Sequence, residues 1–202
     1  MATSTLELMS ALLFIISAFA ILLAHEMGHA LVGRFLGGGH PSVYLAWLGG
    51  DCTNENARLT RMQGVVMTAA GPLASLAVGF LAYLGLCFYI GSIEQGTLLS
   101  FSFALGMMPA EAVMNYPVLV MFLFFYLIEV SCWWTLLNIL PIFPLDGGQI
   151  MQGLMKSRRQ MHAISLAVAV VLVLAFGSLG LWLLTIFMVL LAILNYKLYR
   201  EA

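Results

Sequence analysis

Charge is what this sequence has least of: only 8% of its 202 residues are Asp, Glu, Lys or Arg, against about 25% in soluble domains. With no basic stripe to neutralise phosphates, no nucleic-acid partner is expected. Cysteine is scarce too, and Cys52, Cys87 and Cys132 are too scattered to suggest a disulfide framework or a thiolate zinc site. The N-terminal MATSTLELMS has no basic residue ahead of its apolar run, and that run continues into HEMGH rather than a small-residue cleavage site. It therefore reads as a retained helix and not as a signal peptide. Long linkers, charge blocks, low-complexity tracts and repeats are also missing. One domain over residues 1–202 is expected, with a core over about 8–150 and a C-terminal helical hairpin over about 160–198.

What is abundant is apolar sequence, 62% of the chain, with a mean hydropathy of +1.02. Runs long enough to cross a bilayer, about 20 residues each, extend from about Leu8 to Leu36, Gln63 to Ile90, Pro117 to Leu140, Met161 to Phe176 and Leu179 to Tyr196. They predict an all-α polytopic membrane protein of about five transmembrane helices. Only Gly177, Ser178 and Gly180 separate the last two runs, so one bent helix is an alternative, although about 36 residues is long for a single crossing.

The basic residues test that count. With five spans and an outside N-terminus, Arg34, Arg58, Arg61, Lys156, Arg158, Arg159, Lys197 and Arg200 all fall on one side, which the positive-inside rule makes cytosolic. The C-terminus is then cytosolic, and a prokaryotic cytoplasmic membrane is the expected location. The loop from Gly91 to Tyr116 carries Glu94 and Glu111 and no Lys or Arg, as an outside loop should. Its middle, LLSFSFALGMMPA, is apolar enough to lie in the interface or dip into it, an ordinary packed loop being the other reading. The first cytosolic loop, PSVYLAWLGGDCT, is rich in β-branched and aromatic residues, with Gly49, Gly50 and Asp51 where a turn belongs. It predicts a short membrane-associated β-hairpin between the first two spans, apolar on both faces and tolerated at membrane depth only under protein cover or beside a wet cavity.

Against this background FAILLAHEMGHALVG, Phe19 to Gly33, stands out. On a helix His25 and His29 stack on one face, about 40° apart, and two imidazoles at that spacing can grip one metal ion. Glu26 lies about 100° round from His25, near enough to reach the metal's remaining site without being a ligand, the HExxH arrangement that suits general-base work. Catalytic zinc usually takes three protein ligands and one water. The other acids and histidines lie mostly in the outside loop or at chain ends, whereas Asp146, in NILPIFPLDGGQ, enters from the cytosolic end of the third span. Leu8 to His25 is about 25 Å of helix in a core about 30 Å thick, which brings HEMGH to a similar depth. Pro141 and Pro144 break regular helix there, and Gly147 and Gly148 let the chain turn and approach closely.

Taken together, HEMGH with the LGGD that follows it, TAAGPLAS in the second span and NILPIFPLDGG resemble the site-2 protease family of intramembrane zinc metalloproteases, over about Ala20 to Gln149. The resemblance implies one Zn2+ per chain held by His25, His29 and Asp146, Glu26 as the catalytic glutamate, and Asn138 as a polar residue contacting the substrate or the reacting carbonyl. It implies a membrane-spanning or membrane-attached protein substrate, engaged as an added strand by a hairpin at about Ser42 to Thr53. Where family members often carry Asn a few residues after the Gly-Pro pair, this chain has Ser75. Relatives also often carry a PDZ or CBS domain, for which this chain has no room, so regulation is expected from a membrane partner, the lipid bilayer or the substrate.

Other polar residues have plainer readings. Glu129, within the third span, stands about 180° round from Asn138 and is expected to face away from the metal in a structural role, and His40 and His162 are expected to be exposed. Two readings come from other classes. A zinc transporter would need ligands across the bilayer, and the outer halves of these spans offer almost none; a catalytically silent scaffold is disfavoured by the intact Glu26.

Overall fold

Five of the seven helices among the described residues are long and apolar enough to cross a membrane. The computed structural model describes residues 2–37, 39–46, 49–55, 58–107 and 115–202. The long helices are α1 (Ala2–Gly37), α2 (Arg61–Ile90), α4 (Val118–Asn138), α6 (Arg158–Ser178) and α7 (Trp182–Glu201), with shorter helices α3 (Ile93–Ala104) and α5 (Asp146–Leu154) between them. Their outer faces carry large apolar side chains, Phe88 at 90% and Leu183 at 82% exposure, as helices that face lipid require. The last apolar stretch is two helices and not one bent helix. Gly180 adopts φ of +73° between them, a left-handed conformation that glycine enters without steric cost.

Two segments differ from expectation. The loop after α2 folds largely as α3, whose first turn is capped by Ser92 accepting from the Gln95 N–H. Leu99 of α3 packs with Leu86, Met121 and Phe125 of α2 and α4, so this segment covers a core cluster. Residues 108–114, which include the last three of the run expected at the interface, lie outside the described residues. The hairpin forms as β1 (His40–Ala46) and β2 (Gly49–Glu55), antiparallel, with His40 opposite Glu55. Gly49, Gly50 and Asp51, expected as the turn, instead pair with Ala46, Leu45 and Tyr44. Ladder pairing asks only for extended backbone, which these residues can supply; residues 47 and 48 lie outside the described residues.

Small residues set the helix spacing. A Cβ on Gly28 would run into the Ala70 carbonyl and the Ala74 methyl of α2, so α1 and α2 approach at backbone distance. Met27, beside it, points outward and is 39% exposed. Gly79 sits against Ser131, whose hydroxyl donates to the Ser75 carbonyl at 2.7 Å and ties α4 to α2.

One end of the bundle gathers the basic residues. The Arg58 N–H donates to the Gly37 carbonyl at 3.2 Å, the Arg61 guanidinium donates to the carbonyls of Gln152 and Met155, and the Arg159 guanidinium lies 4.9 Å from the centre of the Tyr199 ring. The end of α1, the starts of α2 and α6 and the ends of α5 and α7 therefore share one side, as the distribution of Lys and Arg predicts.

Helix α4 stops at Asn138, just before Pro141. The chain turns through Ile142 N–H to Leu140 C=O and Leu145 N–H to Ile142 C=O bonds, at 2.7 and 2.8 Å. Ile142 is fully buried among Ala169, Met188 and Leu191 of α6 and α7. The Phe143–Pro144 peptide is cis. Gly147 and Gly148 then pack directly on the backbone of residues 139–143, where a Cβ on either would collide with it, and this close contact starts α5 at Asp146.

Candidate metal centre

The i, i+4 spacing on α1 and the turn into α5 bring three groups together. His25 Nε2 lies 3.2 Å from His29 Nε2 and 2.9 Å from Asp146 Oδ2, and His29 Nε2 lies 3.5 Å from Asp146 Oδ1. All three residues are buried, at 2–7% exposure. Among the described residues they are the one group of three or more His, Cys, Asp or Glu side chains whose ligand atoms converge in this way.

Helix α2 supplies the support. The His29 Nδ1–H donates to the Met67 carbonyl at 3.0 Å; a carbonyl can only accept, so a proton sits on Nδ1, and Nε2 is the ring nitrogen turned to the cluster, where its lone pair could bind a metal. His25 Nδ1 lies 3.5 Å from Ser75 Oγ, a long contact, and that hydroxyl is 2.9 Å from Thr135 Oγ1. The Trp134 ring meets His25 edge-on at 6.0 Å. A Cβ on Gly71 would collide with the His29 ring.

The donor set fits a metal ion. Asp146 Oδ2 is buried and has no hydrogen-bond partner, an orphaned carboxylate oxygen 2.9 Å from His25 Nε2 that a bound cation would satisfy. Separations of 2.9–3.5 Å are close to the edge of about 3.3 Å expected of a tetrahedron with zinc–ligand bonds of about 2.0–2.1 Å. Burial alone would push the Asp146 carboxyl up, but the two imidazoles beside it outweigh that effect and hold it below the usual carboxylate range.

The model of peptidase family M50 matches residues 13–177. The chain belongs to this family. M50 peptidases are metalloproteases embedded in membranes, in line with the five apolar helices here. The solved site-2 protease from Methanocaldococcus jannaschii has the same fold, with a TM-score of 0.53 and 20% identity, over 94% of this chain and 76% of that one. No curated protein sequence gives a significant match. The M50 match spans both HEMGH and the Asp146 turn, so the residues that converge in space lie within the family region.

The other expected residues sort differently. Glu26 is buried at 4% exposure on the same helical turn as His25. Asn138 is buried at the end of α4, where its Nδ2 donates to the Trp134 carbonyl at 2.9 Å. Glu129 is not one of the three converging residues. His40 is exposed, as expected. His162 corrects its expectation: it is 6% exposed and bonds Asn195 at 3.0 Å, because α7 brings a polar partner to it from far along the chain. The Met67 carbonyl has no sequence signal, whereas Ser75 and Thr135, small polar residues in apolar spans, could have been found as a pair on facing helices.

Proposed function

We propose that this chain is a zinc-dependent intramembrane endopeptidase that hydrolyses peptide bonds in or near transmembrane segments of membrane-protein substrates. One zinc is held by His25, His29 and Asp146, close to the cytosolic face, with the N-terminus outside and the C-terminus cytosolic. The observation that carries this reading is the convergence of two imidazole nitrogens and a buried carboxylate, with Glu26 on the same turn, in a chain of the M50 family. Bound there, zinc supplies Lewis acidity toward water and a carbonyl oxygen.

The chain's own residues do the rest. Glu26 takes a proton from the water as its oxygen adds to the scissile carbonyl carbon, and returns that proton to the amine nitrogen when the C–N bond then breaks. The second amide hydrogen of Asn138 donates to the oxygen on which negative charge develops. A transmembrane helix resists attack because its carbonyls are already bonded; an edge of the β1–β2 hairpin holds an unwound segment extended by strand addition. Helix-breaking residues in the substrate favour that unwinding.

The test is metal removal and return. Purified in detergent, the protein is expected to contain one zinc and to cleave a single-span substrate; a chelator should abolish cleavage and added Zn2+ should restore it. Cleavage by the zinc-free protein would sink the reading. The His29 ring gives a second test: Gly71→Ala is expected to displace it and to weaken zinc binding by about 10–100-fold, the usual scale for disturbing a ligand's support, as measured by chelator competition. Unchanged affinity would mean that the contact between Gly71 and the ring does not matter.

A further inference from the structure

Polar residues are sparse in α6 and α7, and three buried ones gather at the backbone of one residue, Phe143, in the turn before Asp146. The Phe143 N–H donates to Ser165 Oγ at 3.1 Å, and the Phe143 C=O accepts from Asn195 Nδ2 at 2.6 Å. Asn195 Nδ2 also donates to the Leu191 carbonyl at 2.9 Å, and Asn195 Oδ1 lies 3.0 Å from His162 Nδ1. Ser165 and Asn195 are fully buried and His162 nearly so.

The bonding fixes the orientation of each group. Two carbonyls face the Asn195 amide nitrogen and can only accept, so both amide hydrogens are committed and the amide cannot be flipped. Its oxygen therefore faces His162, which must donate from Nδ1. The His162 ring also meets the Phe143 ring edge-on, with centroids 5.6 Å apart and planes at 87°. The peptide groups of an irregular segment at membrane depth have to be satisfied by protein, and α6 and α7 satisfy both groups of Phe143.

The path from Phe143 to the metal centre is short and stiff. Phe143 stands three residues before Asp146. The Leu145 N–H returns to the Ile142 carbonyl, and the Gly148 backbone lies directly on residues 142 and 143, with no room for a Cβ between them. A shift of the Phe143 backbone is therefore passed to the start of α5, where Asp146 is the first residue.

We propose that Ser165 and Asn195, the latter oriented by His162, clamp the two peptides flanking Phe143 and thereby hold the Asp146 carboxylate against the two imidazoles, which makes the three positioning residues for the metal centre. The proposal rests on the reading of Asp146 as a metal ligand. It gives the last two helices a part in building the site although they contribute no ligand to it.

The test compares zinc affinity, by competition with a chromophoric chelator, with thermal unfolding of the zinc-free protein, using the full chain in detergent. Ser165→Ala and Asn195→Leu are expected to lower zinc affinity by about 10–100-fold. Ser165→Thr, which keeps the hydroxyl, should restore it. His162→Leu should weaken binding, and His162→Asn, with a donor near the place of Nδ1, should recover it. Asp146→Ala is the reference for loss of the ligand itself. If Asp146→Ala loses zinc while the clamp variants bind as wild type and only unfold at lower temperature, the residues merely join helices and the proposal falls with the ligand reading intact. If Asp146→Ala also binds as wild type, the ligand reading fails and the clamp with it. Should Asn195→Leu not fold, the Ser165→Ala and Ser165→Thr pair decides by the same criterion.

Discussion

Glu26→Gln is expected to keep a full complement of zinc and to lose cleavage by about 10²–10⁴-fold, the range that a positioned general acid–base group contributes. Glutamine matches glutamate in size, so the buried position on α1 can accept it, but it cannot take a proton from water. Because the proton moves only as the transition state is approached, the loss should appear in kcat with little change in KM. Metal analysis beside cleavage of a single-span substrate measures both. A variant that holds zinc and cleaves at the wild-type rate would remove Glu26 from the mechanism.

His29→Ala should do more, abolishing zinc binding and cleavage together. Two of the three proposed ligands stand on α1, and without His29 a single imidazole and a carboxylate remain, short of the three protein ligands of a usual catalytic zinc site. The expected drop exceeds the one for Gly71→Ala, which shifts the same ring without removing it. Folding should survive. The substitution strips a donor from the Met67 carbonyl, a cost of about 1–3 kcal/mol, which thermal unfolding of the zinc-free protein would register. Zinc content near one per chain in the folded variant would exclude His29 as a ligand.

The spans were legible because lipid demands long apolar runs and nothing else in the chain imitates them. His25, His29 and Asp146 were legible for the opposite reason, since ionisable groups in such runs are costly and must have partners. The support around them was harder to read. His29 leans on the Met67 carbonyl, and every residue carries a carbonyl, so no residue type marks that contact. His162 looked like one more histidine beside a basic cluster because its partner Asn195 is on another helix. The start of α3 did carry a signal, Ser92 followed by Gln95 in the spacing of a capped first turn, masked by the apolar run that suggested an interfacial loop. The hairpin was found but its turn misplaced, because two glycines and an aspartate suit a turn by composition while here they sit in a strand.

The contact at Gly28 also changes how the motif HEMGH should be read. Written as HExxH, it leaves two positions open, as though both were equally free. In this chain Met27 faces outward while Gly28 lies against the Ala70 carbonyl and the Ala74 methyl. One blank is silent and the other encodes the distance to the neighbouring helix, so the five-letter pattern carries a packing instruction inside a chemical one.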